Sequence, residues 1–196
     1  MKKLLLFIAM VLTVCGTAMA QAPSIDQIWY TTVDGEKIEM DPDHDDPSKP
    51  NAFDQTLIRN EYDASVGQFV LTFDGVVTGI GKGAFSNFDW ELKSVTLPCA
   101  VTSIGDQAFA NCQKLTSITI PCSVMSIGDS AFYNCTGLKS ITIPGGVKII
   151  EDSAFYNCYN LKHISIPKSM ADHYFDFFWR DIDDDIREGI TIVRQY

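Results

Sequence analysis

Short alternating runs of apolar and polar residues recur along the second half of the chain. In residues 115–121, with the sequence LTSITIP, isoleucines alternate with serine and threonine. This period of two predicts a half-buried strand, and the closing proline ends it because proline cannot donate the next ladder hydrogen bond. A shorter extended stretch at residues 124–127 predicts a second strand in the same unit.

Whole units repeat as well as the strands within them. Near copies follow one another every 23 residues, and a degenerate first copy lies one residue further back than this period requires. Self-similarity at such a period predicts a solenoid, in which each unit buries its apolar face only by stacking on its neighbours. Stacked at about 4.8 Å per unit, the longer strands would form a parallel sheet and the shorter ones a second ladder. The copies begin at Ile80, Ile104, Ile127 and Ile150.

Equivalent residues of successive units form columns, and several columns have a structural explanation. A phenylalanine column supplies the bulk of the core, at about 1.5 to 3 kcal/mol per fully buried side chain. The alanine column before it lets a short helical turn, capped by Asp129, approach the sheet, and an asparagine column bonds the backbone of the adjacent turn. The columns are Ala84, Ala108, Ala131 and Ala154; Phe85, Phe109, Phe132 and Phe155; and Asn87, Asn111, Asn134 and Asn157.

The two ends of the stack must differ from the repeat, because a solenoid otherwise exposes its core there. At the amino end, β-prone residues 29–32 and 37–40 flank an Asp-Gly turn, which predicts a hairpin cap. Residues 71–73 fit the strand of a partial repeat that leads into the stack. At the carboxyl end, the aromatic residues 173–179 predict a cap in preference to an exposed binding patch, and residues 190–193 predict a final strand.

The first 20 residues have the three regions of a secretory signal peptide: Lys2 and Lys3, an apolar run, and a small-residue cleavage site that ends at Ala20. Cys15 leaves a lipoprotein signal open as the alternative. No other segment approaches the roughly 20 apolar residues of a membrane span, so we expect a secreted or cell-surface protein, with the periplasm also possible. The predicted division is a signal peptide at 1–20, an amino-terminal cap region at 21–68, repeats at 69–167 and a carboxyl-terminal cap at 168–196.

The chain is strongly acidic, with a formal net charge of −10. Removal of Lys2 and Lys3 with the signal peptide would leave 13 basic against 25 acidic side chains, a net charge of −12. Nucleic acid and anionic membranes are therefore disfavoured as partners, since both need lysine and arginine to neutralise phosphates. The remaining length is that of one domain, and we expect a monomer.

The cysteines and the acidic run raise the question of disulfides and metal sites. Cys112, Cys135 and Cys158 repeat in register, which favours a ladder of buried thiols over disulfides or zinc. Cys99 and Cys122 also lie one unit apart, so one bridge between them stays open. The acidic run at residues 41–46 lacks the glycine and distal glutamate of a calcium loop, which favours a solvated loop. We therefore expect no metal and no cofactor.

Motifs of catalysis are absent from the sequence. It contains no G-x-S-x-G, P-loop, H-E-x-x-H or paired CxxC pattern. Its three histidines, His44, His163 and His173, belong to the acidic run, to a repeat strand and to the aromatic segment, respectively. We expect a protein that is not an enzyme and has no catalytic residues, with an unrecognised hydrolase as the remaining alternative.

The repeat consensus of Ile-Gly-Asp-x-Ala-Phe, then Asn-Cys, then Leu-x-x-Ile-x-Ile-Pro resembles the BspA-like class of leucine-rich repeats over residues 76–167. Phe88, Lys82 and Glu151 depart from this pattern. The resemblance implies an α/β-type repeat solenoid, mostly β, with about four 23-residue units between a hairpin cap and an aromatic cap. It also implies a secreted or surface, non-enzymatic bacterial protein that mediates protein-protein or cell-surface binding, as in adhesion. The alternative is a structural or assembly component of the bacterial envelope.

The outward columns of the main sheet are the candidate binding residues. They form a hydroxyl-rich face with a lysine edge, suited to a protein or glycan on host or microbial surfaces. The alternative is that repeat duplication has retained soluble, β-compatible residues there. Because the face lacks aromatic anchors, we expect modest affinity. The candidates are Lys93, Thr96, Thr116, Thr119, Lys139, Thr142, Lys162 and His163.

Overall fold

The computed structural model describes residues 23–38, 53–86, 88, 91–167 and 191–195. Twelve strands and no helix form in these residues. The strands are β1 (Gln27–Thr32), β2 (Leu57–Asp63), β3 (Gln68–Phe73), β4 (Gly79–Ile80), β5 (Leu92–Thr96), β6 (Ser103–Ile104), β7 (Ser117–Thr119), β8 (Ser126–Ile127), β9 (Ser140–Thr142), β10 (Ile149–Ile150), β11 (His163–Pro167) and β12 (Thr191–Gln195).

The repeats fold as a mostly β solenoid of about four turns, as predicted. Short strands form a continuous parallel ladder in the order β10-β8-β6-β4. The longer strands form the main sheet in two blocks, one ending with β5 and β7 and the other containing β9, β11 and β12. No ladder joins β7 to β9, although both strands are described in full. This seam lies between the second and third full turns.

The core consists of the predicted columns. The rings of Phe85, Phe109, Phe132 and Phe155 stack nearly parallel, with centroids 5.0 to 5.3 Å apart and interplanar angles of 2 to 5°. All four side chains are buried, as are the alanines that precede them. Aromatic rings that repeat in register therefore pack against one another from turn to turn through the core.

The helical turn that the sequence predicts after each Gly-Asp does not form. These segments are instead tight turns, because residues in the left-handed backbone region interrupt any helix. Two columns adopt this conformation, with φ between 53 and 63°: Gln107, Ser130 and Ser153, and Asn111, Asn134 and Asn157. Their backbone amides then reach the next turn, as from Gln107 N to Asp129 O at 2.8 Å and from Asn111 N to Tyr133 O at 2.8 Å.

The asparagine column therefore differs from its predicted role. Asparagine tolerates the left-handed region better than most residues, so its backbone conformation explains its presence. One side-chain bond joins two members of the column, from Asn134 Nδ2 to Asn111 Oδ1 at 3.0 Å, whereas Asn157 Nδ2 donates to the Tyr133 hydroxyl at 3.5 Å. Neighbouring turns are therefore joined by an asparagine side-chain bond and by main-chain amides that donate to main-chain carbonyls.

The amino-terminal hairpin was predicted with the wrong partner. Both edges of β1 are occupied, by β3 on one side and β5 on the other, and both pairings are antiparallel. Residues 37–38 consequently are not a strand. The hairpin forms instead between β2 and β3. The partial-repeat strand, β3, exists as predicted, but β1 separates it from the first full strand, β5.

At the carboxyl end, the predicted final strand is confirmed. β12 pairs in parallel with β11, with His163 opposite Thr191 and Ser165 opposite Val193. The predicted signal peptide with Cys15, the acidic run at 41–46 and the aromatic segment 173–179 lie outside the described residues.

Replacement of Phe132 by alanine should lower the free energy of unfolding by about 3 to 5 kcal/mol, because the fully buried ring contacts stacked rings on both sides. Urea unfolding of residues 21–196 measures this loss. Tyr156→Ala is the matched control, since that tyrosine is 41% exposed and should cost about 1 kcal/mol or less. Equal losses in both variants would contradict the account of the core.

Two adjacent glycines provide a test of how closely the turns approach. A Cβ at Gly146 would collide with the carbonyl oxygen of Cys122 in the preceding turn, whereas a Cβ at Gly145 would meet nothing within 4 Å. Gly146→Ala should therefore destabilise the protein by about 1 to 3 kcal/mol. Gly145→Ala should leave the thermal midpoint unchanged or slightly raised. A midpoint that falls equally in both variants would show that the turns do not stack this closely.

Candidate functional site

The candidate residues lie in the four runs that form β5, β7, β9 and β11 of the main sheet. Thr96, Thr119, Thr142 and His163 are strand residues, whereas Thr116, Lys139 and Lys162 directly precede their strands and Lys93 lies where the pairing of β5 with β1 shifts register. The apolar residues of these runs face the core, where Leu92, Val95, Leu138, Ile141, Leu161 and Ile164 are buried. Seven of the eight candidates are exposed, and Thr96 is half-buried. The exposed seven are Lys93, Thr116, Thr119, Lys139, Thr142, Lys162 and His163. We call the outward residues of β5, β7, β9 and β11, with the lysine or threonine that starts each run, the sheet face.

Strand register aligns the sheet face into rows. Ser94 lies opposite Ser117 and Thr96 opposite Thr119, while His163 lies opposite Ser140 and Ser165 opposite Thr142. The lysine edge is aligned by main-chain bonds: Thr116 N donates to Lys93 O at 2.9 Å, and Lys162 N donates to Lys139 O at 2.9 Å. Each turn of the solenoid therefore contributes one residue to every row.

The seam divides the sheet face into two halves. Ser94, Thr96, Ser117 and Thr119 lie on the amino-terminal side, and Ser140, Thr142 and His163 on the carboxyl-terminal side. Ile118 and Ile120, on the β7 side of the seam, are only half-buried, whereas their equivalents Ile141 and Ile143 are buried. Hydrogen-bonded strands therefore bring the candidates together within each half. No strand ladder joins the two halves across the seam.

The strands of the sheet face differ from the turns in their acidic residues. The strands of the sheet face contain lysine and histidine but no acidic residue. A column of aspartates lies instead in the turns that follow the short strands, where the carboxylate of Asp106 accepts a bond from Asp129 N at 3.3 Å. Asp129 and Asp152 continue this acidic column. Local positive charge on the sheet face therefore coexists with a negative net charge of the chain.

Two aromatic features were not predicted from the sequence repeats. Trp29 on β1 lies opposite Thr96, so it borders the sheet face, but it is only 8% exposed. The rings of Tyr133 and Tyr156 stack on the turn edge with centroids 5.8 Å apart, and Tyr159 donates a hydrogen bond to Asn157 Oδ1 at 2.7 Å. The repetition of tyrosine at positions 133 and 156 was the signal in the sequence. These tyrosines lie in the turns, away from the sheet face.

The predicted cysteine ladder forms in the core. Each thiol donates to a phenylalanine carbonyl of the preceding turn at 3.1 Å, from Cys112 to Phe85, Cys135 to Phe109 and Cys158 to Phe132. Burial raises the pKa of Cys135 well above its usual value and raises the pKa of Cys158 to about 12. Cys99 and Cys122 form no disulfide, and they are half-buried and exposed respectively.

Within the residues that the structure describes, no cluster of three or more histidine, cysteine or acidic side chains could hold a metal ion. In the same residues, no helix is long and apolar enough to cross a membrane.

A thiol reagent at pH 8 should label native residues 21–196 at Cys99 and Cys122 only. Cys112, Cys135 and Cys158 are buried and hydrogen-bonded, and the thiolate that reacts is disfavoured by burial. Mass spectrometry after proteolysis identifies the labelled residues, and urea should open the remaining three. Labelling of Cys135 as fast as Cys122 in the native protein would contradict the ladder.

The buried thiols also determine how the stability of the protein changes with pH. The pKa of Cys158 rises from 9.0 to about 12 on folding, so its contribution to stability is complete below about pH 9 and is lost as the pH rises toward 12. Replacement of Cys158 by alanine should flatten the decline in urea midpoint between pH 9 and 11. An unchanged slope would show that this thiol is not buried in the native state.

A family model described as the BspA type leucine rich repeat region matches residues 70–181 in six copies. The match extends beyond residue 167, into the segment that the sequence assigns to a cap, so that boundary stays a prediction.

Three solved structures illustrate what the chain is similar to. A leucine rich cell surface protein from Faecalibacterium prausnitzii A2-165 is 37% identical over 45% of this chain and 23% of its own length, with a TM-score of 0.43. A leucine-rich repeat protein from Bacteroides ovatus is 26% identical over 47% of this chain and 35% of its own, with a TM-score of 0.39. A leucine-rich repeat protein from Bacteroides capillosus is 24% identical over 71% of this chain and 75% of its own length, with a TM-score of 0.41. The chain thus spans about a quarter to a third of the first two, and no curated protein matches it.

Proposed function

The chain belongs to the BspA-type leucine-rich repeat family, and from this premise we propose that it is an exported, non-enzymatic binding protein. Its sheet face docks onto a protein or glycan at a host or microbial surface, in an adhesion-like role. Repeat sheets provide such extended recognition surfaces because each turn adds one residue to every outward row.

The single observation that supports this proposal is the sheet face itself. Stacking explains the alanine, phenylalanine, asparagine and cysteine columns, since each is buried or bonded between turns. It does not require lysine at Lys93, Lys139 and Lys162, which are exposed at the start of their strands. Because the fold does not require these lysines, they can take part in binding without a loss of stability.

The predicted affinity is modest. Interfaces with strong binding usually have buried aromatic or arginine anchors, and the sheet face has neither among its exposed side chains. Each exposed lysine contributes about 1 kcal/mol or less to an ion pair. Contact along several turns, or several copies of the protein on one surface, would then be needed for firm attachment.

Export is the second component of the proposal and is supported by the signal-peptide pattern that ends at Ala20. The proposed location is the cell surface or the medium, with the periplasm as the alternative. Fractionation of the native host tests the location, and the mass of the mature protein tests the cleavage. A mass equal to residues 21–196 supports cleavage at Ala20 and secretion, whereas a diacylated mass beginning at Cys15 would replace it with lipid anchoring.

Replacement of Lys93, Lys139 and Lys162 by glutamate should reduce binding of residues 21–196 to cells or to immobilised matrix proteins by at least tenfold. The loss is expected because three attractive charges on one face become repulsive. The matched control replaces Lys37, Lys82 and Lys148 by glutamate, since these lysines are also exposed but lie off the sheet face. Both variants change the net charge equally, and both should keep the circular dichroism of the parent.

Binding that survives the sheet-face change, or that falls equally in both variants, would contradict the sheet-face proposal. Absence of binding by the parent to any cell or matrix surface would instead favour the alternative of a structural envelope component.

A further inference from the structure

We propose that the partner of the sheet face is an anionic polysaccharide, a linear glycan carrying carboxylate or sulfate groups, which lies along the solenoid axis. This inference rests on the proposed function and specifies the chemistry of its partner. It follows from the charge of the face, the spacing of its lysines and the chemistry of the side chains between them.

Charge complementarity favours an anionic partner. The runs that form β5, β7, β9 and β11 contain three lysines and a histidine and no carboxylate. The aspartate column of Asp106, Asp129 and Asp152 lies in the turns after the short strands instead. Long-range repulsion by the negative net charge remains, so the attraction acts only at short range and is sensitive to salt.

The lysines repeat along one line. Lys139 and Lys162 occupy neighbouring turns, which are about 4.8 Å apart in a parallel ladder, and Lys93 lies two turns before Lys139. Thr116 fills the intervening place with a hydroxyl that bonds Lys93 O at 3.1 Å. A polymer with regularly spaced anionic groups can meet this line at several points, whereas a small anion can meet only one or two.

The side chains beside the lysines are suited to sugar hydroxyls. Ser117, Thr119, Ser140 and Thr142 are exposed hydroxyls in the two central strands, on either side of the seam. A hydroxyl group both donates and accepts hydrogen bonds, as sugar hydroxyls do. The central part of the face therefore offers a hydrogen-bonding surface rather than an apolar one.

The same composition disfavours an acidic protein as the partner. Protein interfaces depend on apolar or aromatic anchors that are buried on binding. No outward residue of β5, β7, β9 or β11 is apolar, and Val193 at the carboxyl edge is the exposed apolar neighbour in register with Ser165. Trp29, which borders the face, is already packed within the protein and only 8% exposed.

Binding of residues 21–196 to immobilised heparin and to polygalacturonate, with neutral dextran and poly-L-glutamate in parallel, tests the inference. We expect binding to at least one of the two anionic polysaccharides and not to dextran. Affinity should fall about tenfold between 50 and 150 mM salt, since about three lysines release counterions. Lys93→Glu with Lys139→Glu and Lys162→Glu should abolish binding, while the control at Lys37, Lys82 and Lys148 should retain it.

A second variant separates a glycan site from simple ion exchange. Ser117→Ala with Ser140→Ala removes two exposed hydroxyls without changing charge, and should weaken polysaccharide binding about three- to tenfold. An unchanged affinity would overturn the site and leave charge attraction alone. Lysine-to-glutamine variants at the same three positions replace the glutamate variants if those do not fold.

The outcomes distinguish this inference from the function on which it rests. Binding of poly-L-glutamate as tight as that of the polysaccharides, or no binding of either polysaccharide, would overturn the inference. If cell or matrix binding still depends on Lys93, Lys139 and Lys162, the proposed function stands with a different partner. If that dependence is also absent, both fail.

Discussion

In-register stacking of nearly identical turns is the constraint on which the rest of the structure depends. Every turn must bury its apolar face and bond its main chain against the next turn at a fixed pitch. The phenylalanine rings meet this requirement in the core, with centroids 5.0 to 5.3 Å apart. Main-chain bonds such as Phe109 N to Ala131 O at 2.8 Å meet it in the turns. A residue that breaks the register in one turn therefore disturbs both the stack of rings and the main-chain bonds between turns.

The same constraint separates residues with structural roles from residues available for function. Inward side chains are fixed by their neighbours above and below, and left-handed turn residues by their backbone. The exposed side chains of the strand runs are not fixed by packing between turns, and there the chain carries lysine, serine and threonine. Repetition then converts a single exposed lysine into a line of charges, so the sheet acquires an extended surface.

Much of the repeat region was predictable because local and long-range requirements coincide. The strand pattern of residues 115–121 and the in-register Cys112, Cys135 and Cys158 each recur, so one interpretation could be checked against several copies. The turn conformation was not predictable in this way. Gly-Asp followed by Ala-Phe is compatible with a helical turn, and the left-handed φ of Gln107 and Ser130 is unusual for those residue types. Stacking across turns, and not local propensity, selects it.

The ends were less predictable because they occur once. An Asp-Gly turn after β1 favours a local hairpin, but β1 gains more by pairing on both edges, with β3 and β5. The inserted strand also brings Trp29 beside Thr96, a neighbour that no periodic pattern contains. The seam between β7 and β9 is a further feature with no counterpart in the sequence, whose units are nearly identical on both sides of it.

The strand rows of the sheet face could be outlined from period-2 alternation, which places Ser117 with Thr119 and Ser140 with Thr142 on one side of the sheet. The lysine column precedes the alternating residues, and its exposure is seen in the structure. The binding role of the sheet face could not be predicted in this way, because exposure and charge permit recognition without requiring it. The most direct measurement of the central claim is therefore a map of backbone amide chemical shifts in residues 21–196 on addition of a bound anionic polysaccharide. We predict shifts at Lys93, Lys139, Lys162 and the serine and threonine rows between them, with none in the turns of Asp106, Asp129 and Asp152. Shifts confined to those turns, or scattered over the whole solenoid, would contradict the claim that the lysine and hydroxyl rows form the binding surface.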